Sequence, residues 1–325
     1  MKQHRIEMIL RAEQPIAHHS ESIGNAAVAM REKVRQPDGS FAEVPIITGD
    51  TMRHGLRESS SLAYLDALGW PKLSEPALRL LFNGGAIAGA SGGSVNLGDY
   101  RELVEMVPTI ALLGGCSSNR TIPGRLEVDA ATLICDESLH VLPDWVSEYM
   151  AAEKAAVDTC RSHVEEVQRV RMDASLEPGK RQLLSDGARE GVEQRLLRSE
   201  NASAMDDGAG AEKEKSAMMP RRYERIVRGS LFHWSLTATT FNALDEDTLW
   251  TMVLSFAINM RAGGKKGSGN GKLRVVHARD LELARPSESV EFALASKRDA
   301  KGAIFREHVK SNAERIKAYL ETVSA

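Results

Sequence analysis

Between residues 5 and 12 the chain alternates. Ile6, Met8, Leu10 and Ala12 fall on one side, and Arg5, Glu7 and Arg11 on the other. A period of two over this length predicts a strand with one buried face. Residues 226–240 repeat the pattern: Phe232, Trp234, Leu236 and Ala238 oppose His233, Ser235, Thr237 and Thr239. Its aromatics read as core side chains, with base stacking as the alternative. Short apolar runs predict further strands at Val44–Ile47, over 126–135 and over 272–283. Elsewhere the period changes. Leu249, Val253, Phe256 and Met260 step by four, three and four, which predicts a helix over 247–260. Phe305, Val309, Ala313, Ile316 and Leu320 predict an amphipathic helix over 300–321. Helices over 51–69 and 74–82 flank Trp70-Pro71, and a short one covers 99–107.

Some segments carry no clear period. Asn83 to Gly98 is rich in Gly and Ser and reads as a loop. Asp158 to Asp173 fits a partly buried helix or a long β arm. Residues 174–219 include Asp206-Asp-Gly-Ala-Gly-Ala-Glu-Lys-Glu-Lys215, which is too poor in apolar side chains to bury a core.

Composition narrows the class. The chain has 325 residues, 42% hydrophobic and 27% charged, the profile of a globular protein with one elaborated domain or two. A net charge of -3 gives no global pull towards nucleic acid, so any such affinity must be local. Cys116, Cys135 and Cys160 are far apart and form no Cys-x-x-Cys. Neither a zinc ribbon nor a disulfide framework is expected, and a reducing, cytoplasmic setting is. No apolar run reaches membrane-spanning length.

The local concentration of charge is Arg261-Ala-Gly-Gly-Lys-Lys-Gly-Ser-Gly-Asn-Gly-Lys272. Glycines 263, 264, 267, 269 and 271 fall within nine residues, and Arg261 to Arg279 holds six Lys or Arg with no acid. Glycines let successive amides turn towards an anion, and lysines add point charges. The bland alternative is a solvated surface loop. A nucleotide P-loop is excluded by spacing: Lys266 holds the position of its first glycine, and Leu273 follows Lys272 where a hydroxyl is required. A polymeric phosphate backbone fits better than one triphosphate.

A second basic feature follows the strand at Val44–Ile47. Thr48 to Thr51 is a turn with capping residues, and a helix is expected to start at Asp50 or Thr51. Arg53 and Arg57 are four apart and share a face near the helix N-terminus, where amides and dipole favour phosphate. The adjacent His18 and His19 make a poor metal pair and read as a loop or an RNA contact.

The first strand, the Pro45-Ile-Ile-Thr-Gly-Asp-Thr-Met-Arg-His-Gly-Leu-Arg57 turn into a helix, and the C-terminal glycine loop occur in that order. Together they resemble the RAMP superfamily, the RNA-binding proteins of CRISPR effector complexes. Within it the chain resembles the backbone subunit, the Cas-seven family, and most of all the type IV backbone subunit. The resemblance implies an α+β fold: a ferredoxin-like (RRM-like) palm with large helical and thumb-like insertions. The palm would span 1–50, 123–159 and 223–325, with a helical or fingers insertion at 51–122 and a thumb-like extension at 160–222. It further implies a subunit that polymerises along guide RNA and presents it to target DNA or RNA. Its partners would be copies of itself and other effector subunits, with no cofactor, no metal and no catalysis of its own. The RNA-binding residues expected are His18, Thr48, Thr51, Arg53, Arg57, Asn119, Arg120, Gly263, Gly264, Lys265, Lys266, Gly267, Ser268, Gly269 and Lys272. The rival is a type III-like subunit that cuts target RNA with a metal-dependent carboxylate. Residues 20–33, after the first strand, offer Glu21 and Glu32 but no Asp, and Asp38 lies further on in a turn.

Overall fold

The computed structural model describes residues 1–23, 26–85, 97–117, 120–172, 190, 194, 218–279 and 290–322. The predicted first strand is β1 (Lys2–Ala12), and its apolar side packs as the alternation requires, with Ile6, Met8, Leu10 and Ala12 buried. Three short strands follow: β2 (His19–Ile23), β3 (Ala26–Ala29) and β4 (Arg31–Arg35). Then come β5 (Phe41–Ile47) and the helices α1 (Gly49–Leu68), α2 (Glu75–Asn83), α3 (Leu97–Met106) and α4 (Pro108–Leu113). A hairpin of β6 (Gly115–Ser117) and β7 (Arg120–Ile122) leads to β8 (Leu126–Val128), β9 (Ala131–Leu133) and α5 (Asp144–Ala152). After β10 (Val164–Met172) and β11 (Met218–Ile226) come β12 (Leu231–Thr240), α6 (Ala243–Ile258) and β13 (Leu273–Ala278). The C-terminal part is helical: α7 (Val290–Lys301), α8 (Ala303–Ser311) and α9 (Ala313–Thr322).

The main sheet runs in the order β13-β1-β12-β9-β5-β4, with β8 also on β12. Both neighbours of β1 are antiparallel to it, Ile6 standing opposite Leu236 and Leu10 opposite Val275. Omitting β4 and β5, the chain reads β1, α1, β8/β9, β12, α6, β13. Its sheet order of fourth, first, third and second strand is the ferredoxin-like (RRM-like) arrangement of the βαββαβ motif. The predicted strand over 126–135 is two short strands, and both pair with β12.

One face of the sheet is covered by α1 and α6. Met52 and Leu56 from α1 meet Leu249, Val253 and Phe256 from α6 in a single apolar cluster with Trp234 and Leu236. The two helices approach closely at Gly55, where a Cβ would lie 2.4 Å from the Phe256 ring. Gly55→Ala should therefore cost about 1–3 kcal/mol of overpacking. That outweighs the roughly 1 kcal/mol alanine gains in helix propensity. Urea unfolding should show a lower midpoint at unchanged slope. An unchanged midpoint would mean the helices separate freely.

The insertion between α1 and β8 builds a second helical layer. Tyr64 and Leu68 of α1, Leu80 and Leu81 of α2, Met106 and Ile110 form its core with Phe305, Val309, Ile316 and Leu320 from the C-terminal helices. The predicted helix over 300–321 is thus broken into α8 and α9, with Asn312 between them. On the opposite face of the sheet, Val146 and Met150 of α5 pack against Ile9 and Ile134.

The choice between helix and β arm at 158–173 falls to the arm. β10 pairs antiparallel with β11 along its whole length, from Val164 opposite Ile226 to Met172 opposite Met218. β11 also pairs with β3, which joins β2. The thumb-like segment thus leaves and returns as one two-stranded ribbon, and residues 173–189 lie outside the described residues.

Candidate nucleic-acid interface

The glycine loop is folded back on itself. Ala262 N–H donates to Gly271 C=O at 2.9 Å, and Arg261 and Lys272 face each other as an antiparallel bridge. Asn270, fully buried, staples the interior: its side-chain amide donates to the carbonyls of Ser268 (3.1 Å) and Lys265 (3.4 Å). Lys266–Ser268 form one 3-10 turn.

The loop lies against the segment that follows β1. Gly264 N–H donates to Ala17 C=O at 2.7 Å, and Gly271 N–H to Pro15 C=O at 2.9 Å. Gly263 has a φ of 79°, and a Cβ there would sit 2.7 Å from the Ala17 oxygen. Only glycine satisfies both conditions. Ser268 N–H donates to Lys265 C=O at 2.9 Å and Gly269 N–H to Lys266 C=O at 3.3 Å, within the turn. Among the described residues, the N–H groups of Gly263, Lys265, Lys266 and Gly267 meet no acceptor. Gly264 to Gly269 is exposed throughout. These are the features of an anion-binding concavity.

His18 connects this loop to α1. Thr48 N–H donates to His18 Nε2 at 3.3 Å, so Nε2 is an acceptor and the ring proton resides on Nδ1. Thr48 is the N-cap, its hydroxyl oxygen accepting from Thr51 N–H and donating to the Thr51 hydroxyl at 3.0 Å. α1 therefore begins at Gly49, one residue before the predicted start. The amides of Gly49 and Asp50 meet no acceptor among the described residues. Asp50 places a carboxylate in the first turn beside them. Lys266 Nζ lies 3.9 Å from Glu58 of α1, so the loop's tip reaches the helix flank. Residues 18, 48–51 and 263–267, remote in sequence, converge on one surface.

Two lysines of the loop differ in what they touch. Lys265, at a φ of 56°, rests its ammonium 4.0 Å from the centre of the Tyr223 ring. Tyr223 belongs to β11, so this contact ties the loop to the base of the ribbon. His19 packs edge-on to the same ring, and its Nε2 lies 2.9 Å from the carbonyl of Glu224. Lys272 is half-buried at the loop's closing bridge.

Arg53 and Arg57 lie on α1, four residues apart. They share a helix face, but their guanidinium groups point at protein carbonyls. Arg53 donates to Leu126 C=O at 2.8 Å and to Leu113 C=O. Arg57 donates to Leu113 (3.3 Å) and Gly114 (3.1 Å). Helix α4 ends at Leu113, where carbonyls lack intrahelical partners. The arginines supply partners at that end, 56–60 residues away in sequence, and Arg53 also reaches Leu126 on β8. Burial pushes Arg57 down to about 10. Asn119 lies outside the described residues. Arg120 is on β7, in a hairpin that bonds through Cys116 N–H to Gly84 at the end of α2, within the helical layer.

Burial lowers the pKa of His18 below its ordinary 6.5, and His19 lowers it further. His4, His163 and His233 are lowered too, first by burial. With depressed folded-state values, the unfolded chain takes up protons first as the pH falls. This stabilisation is complete above pH 6.5 and is lost as the pH drops from there towards the folded values. Thermal melts should be level above neutrality and decline on acidification through 6.5. A flat profile down to about pH 5, the lower end of histidine titration, would contradict it.

Asp38 caps the β4–β5 turn, accepting from Ser40 N–H (2.9 Å) and the Ser40 hydroxyl (2.6 Å). Those bonds lower its pKa. Glu32 lies exposed on β4. Among the described residues no group of three or more His, Cys, Asp or Glu could hold a metal ion. No helix there is long and apolar enough to cross a membrane.

No protein-family model and no curated protein matches the chain. Among solved structures it is similar to a chain of a structure titled "Type IV-B CRISPR Complex", with a TM-score of 0.54 and 16% identity. The match covers 89% of this chain and 97% of that one. The chain has the fold of that CRISPR-complex component. An RRM-like palm with insertions accounts for both the strand order described above and the breadth of the match.

Proposed function

We propose that this chain is the backbone subunit of a CRISPR ribonucleoprotein. Copies of it bind one guide RNA side by side and leave base edges free to pair with target DNA or RNA. The observation that carries the reading is the convergence of the exposed amides of the glycine loop, His18 and the open α1 N-terminus on one surface of an RRM-like palm. Amides and lysines grip phosphate without reading bases, so sequence is left to base pairing. The fold it shares with a chain of a type IV-B CRISPR complex supports the same reading.

The subunit is proposed as a binder without catalysis of its own. Two of the candidate carboxylates are apart: Asp38 is engaged in its turn, and Glu32 lies on the outer strand. Cleavage would need one held at the scissile phosphate, with a metal or an acid–base partner. The test titrates purified protein onto guide-length RNA, then adds complementary RNA or DNA with magnesium or manganese. Stepwise, multi-copy binding with intact target supports the proposal. Regularly spaced cuts that vanish in Asp38→Ala or Glu32→Ala would establish the nuclease instead.

A further inference from the structure

A cavity of about 630 Å³ opens at the outer end of the main sheet, where β4 and β5 meet the turn before β10. Arg31 and Lys33 line it from β4, Phe41 and Glu43 from β5, with Glu137 and Arg161 closing it. Its size is that of a small-ligand pocket.

The chemistry of the lining is specific. Phe41 is 65% exposed, an aromatic ring presented to solvent at a strand start. Lys33 and Arg161 have no ion-pair partner among the described residues. Arg31 is held at 2.7 Å by Glu224 of β11. Glu137 is committed inward, accepting Cys160 N–H at 2.7 Å, and Glu43 stands opposite Lys33 in the strand register. The cavity thus offers a flat apolar face and the cations Lys33 and Arg161, with Glu137 bound to Cys160 N–H and Glu43 across the strand pair from Lys33. A flat ring beside cations is the platform on which single-stranded nucleic acid stacks a base.

Its position matters as well. Met30, just before β4, donates its N–H to His18 C=O at 2.8 Å. The cavity therefore adjoins the glycine-loop surface through the strand that begins at Arg31.

We propose that this cavity is a nucleotide subsite. It takes one base of a bound single strand against Phe41, with the flanking phosphate between Lys33 and Arg161. The proposal rests on the RNA-binding reading above and adds a base-stacking site to a surface otherwise built for phosphate.

Two labelled oligomers of equal length test it on the full chain: a single-stranded oligouridylate and an abasic ribose-phosphate oligomer. Phe41→Ala should weaken the oligouridylate about tenfold and leave the abasic oligomer unchanged, as loss of one stacked base requires. Phe41→Trp should retain binding. An oligomer carrying 5-iodouridine should photo-crosslink to the peptide that contains Phe41. Equal affinity of Phe41→Ala for both oligomers relative to the parent, with crosslinks elsewhere, would overturn the subsite. If glycine-loop variants still lose binding in that case, the RNA-binding reading stands and only the subsite falls. If the parent chain binds neither oligomer, both fall. A change in self-association without a change in RNA affinity would assign Phe41 to a contact between copies and overturn the subsite.

Discussion

Replacing Arg53 and Arg57 together with methionine is expected to lower the melting temperature by about 5–10 °C. The two guanidinium groups satisfy the carbonyls of Leu113, Gly114 and Leu126. All three of those residues are buried. An unpaired buried carbonyl costs about 1–3 kcal/mol, so losing several partners is a loss of roughly 3–5 kcal/mol. Methionine retains much of the apolar stem and isolates the hydrogen bonds from packing. Exposed arginines whose only task is phosphate contact would contribute almost nothing to stability. An unchanged melt accompanied by weaker RNA binding would assign Arg53 and Arg57 to the RNA surface. A lower melt is the result expected of clamps that hold the end of α4 to α1.

The second large effect is on affinity. Lys265→Ala with Lys266→Ala should weaken RNA binding to a similar degree for all sequences. It should also flatten the dependence of affinity on salt. Each phosphate contact on a single strand contributes about 0.7 to that slope, so the pair should remove about 1.4. Lys266 is exposed, and its ion pair with Glu58 at 3.9 Å is a solvent-facing contact that contributes little. Lys265 rests on the exposed loop with its ammonium over Tyr223, a contact that orients it without neutralising it. Filter-binding titrations at several salt concentrations give the slope. An unchanged slope would remove the loop from the phosphate path, whatever its amides do.

The two kinds of residue differ in how far the sequence discloses them. The glycine loop was legible because its chemistry is local: five glycines and an acid-free basic run need no partner to be recognised. The alternation of Ile6, Met8, Leu10 and Ala12 was legible for the same reason, since a strand's period sits in its own residues. The roles of Arg53 and Arg57 were not, because their acceptors lie at the end of another helix. In the sequence Asn270 is one polar residue among glycines. Its buried position follows only once the loop closes on the segment at Pro15–Ala17. The strand β4 carries four charged residues and a single buried side chain, Val34, so no apolar alternation marks it. The break between α8 and α9 leaves no mark in the pattern, because Phe305, Val309, Ala313, Ile316 and Leu320 keep helical spacing across it. At 158–173 the valines suited either period. Pairing with β11, whose partners run from Ile226 opposite Val164 to Met218 opposite Met172, decides the matter.

The central claim is that many copies of this chain line one guide RNA at a fixed interval. Nuclease digestion of RNA that copurifies with the chain tests it most directly. The account predicts a ladder of protected fragments whose lengths differ by a constant increment, and its loss when Lys265 and Lys266 are replaced. Recovery of no RNA, or of one protected fragment of a single length at every protein-to-RNA ratio, would contradict it.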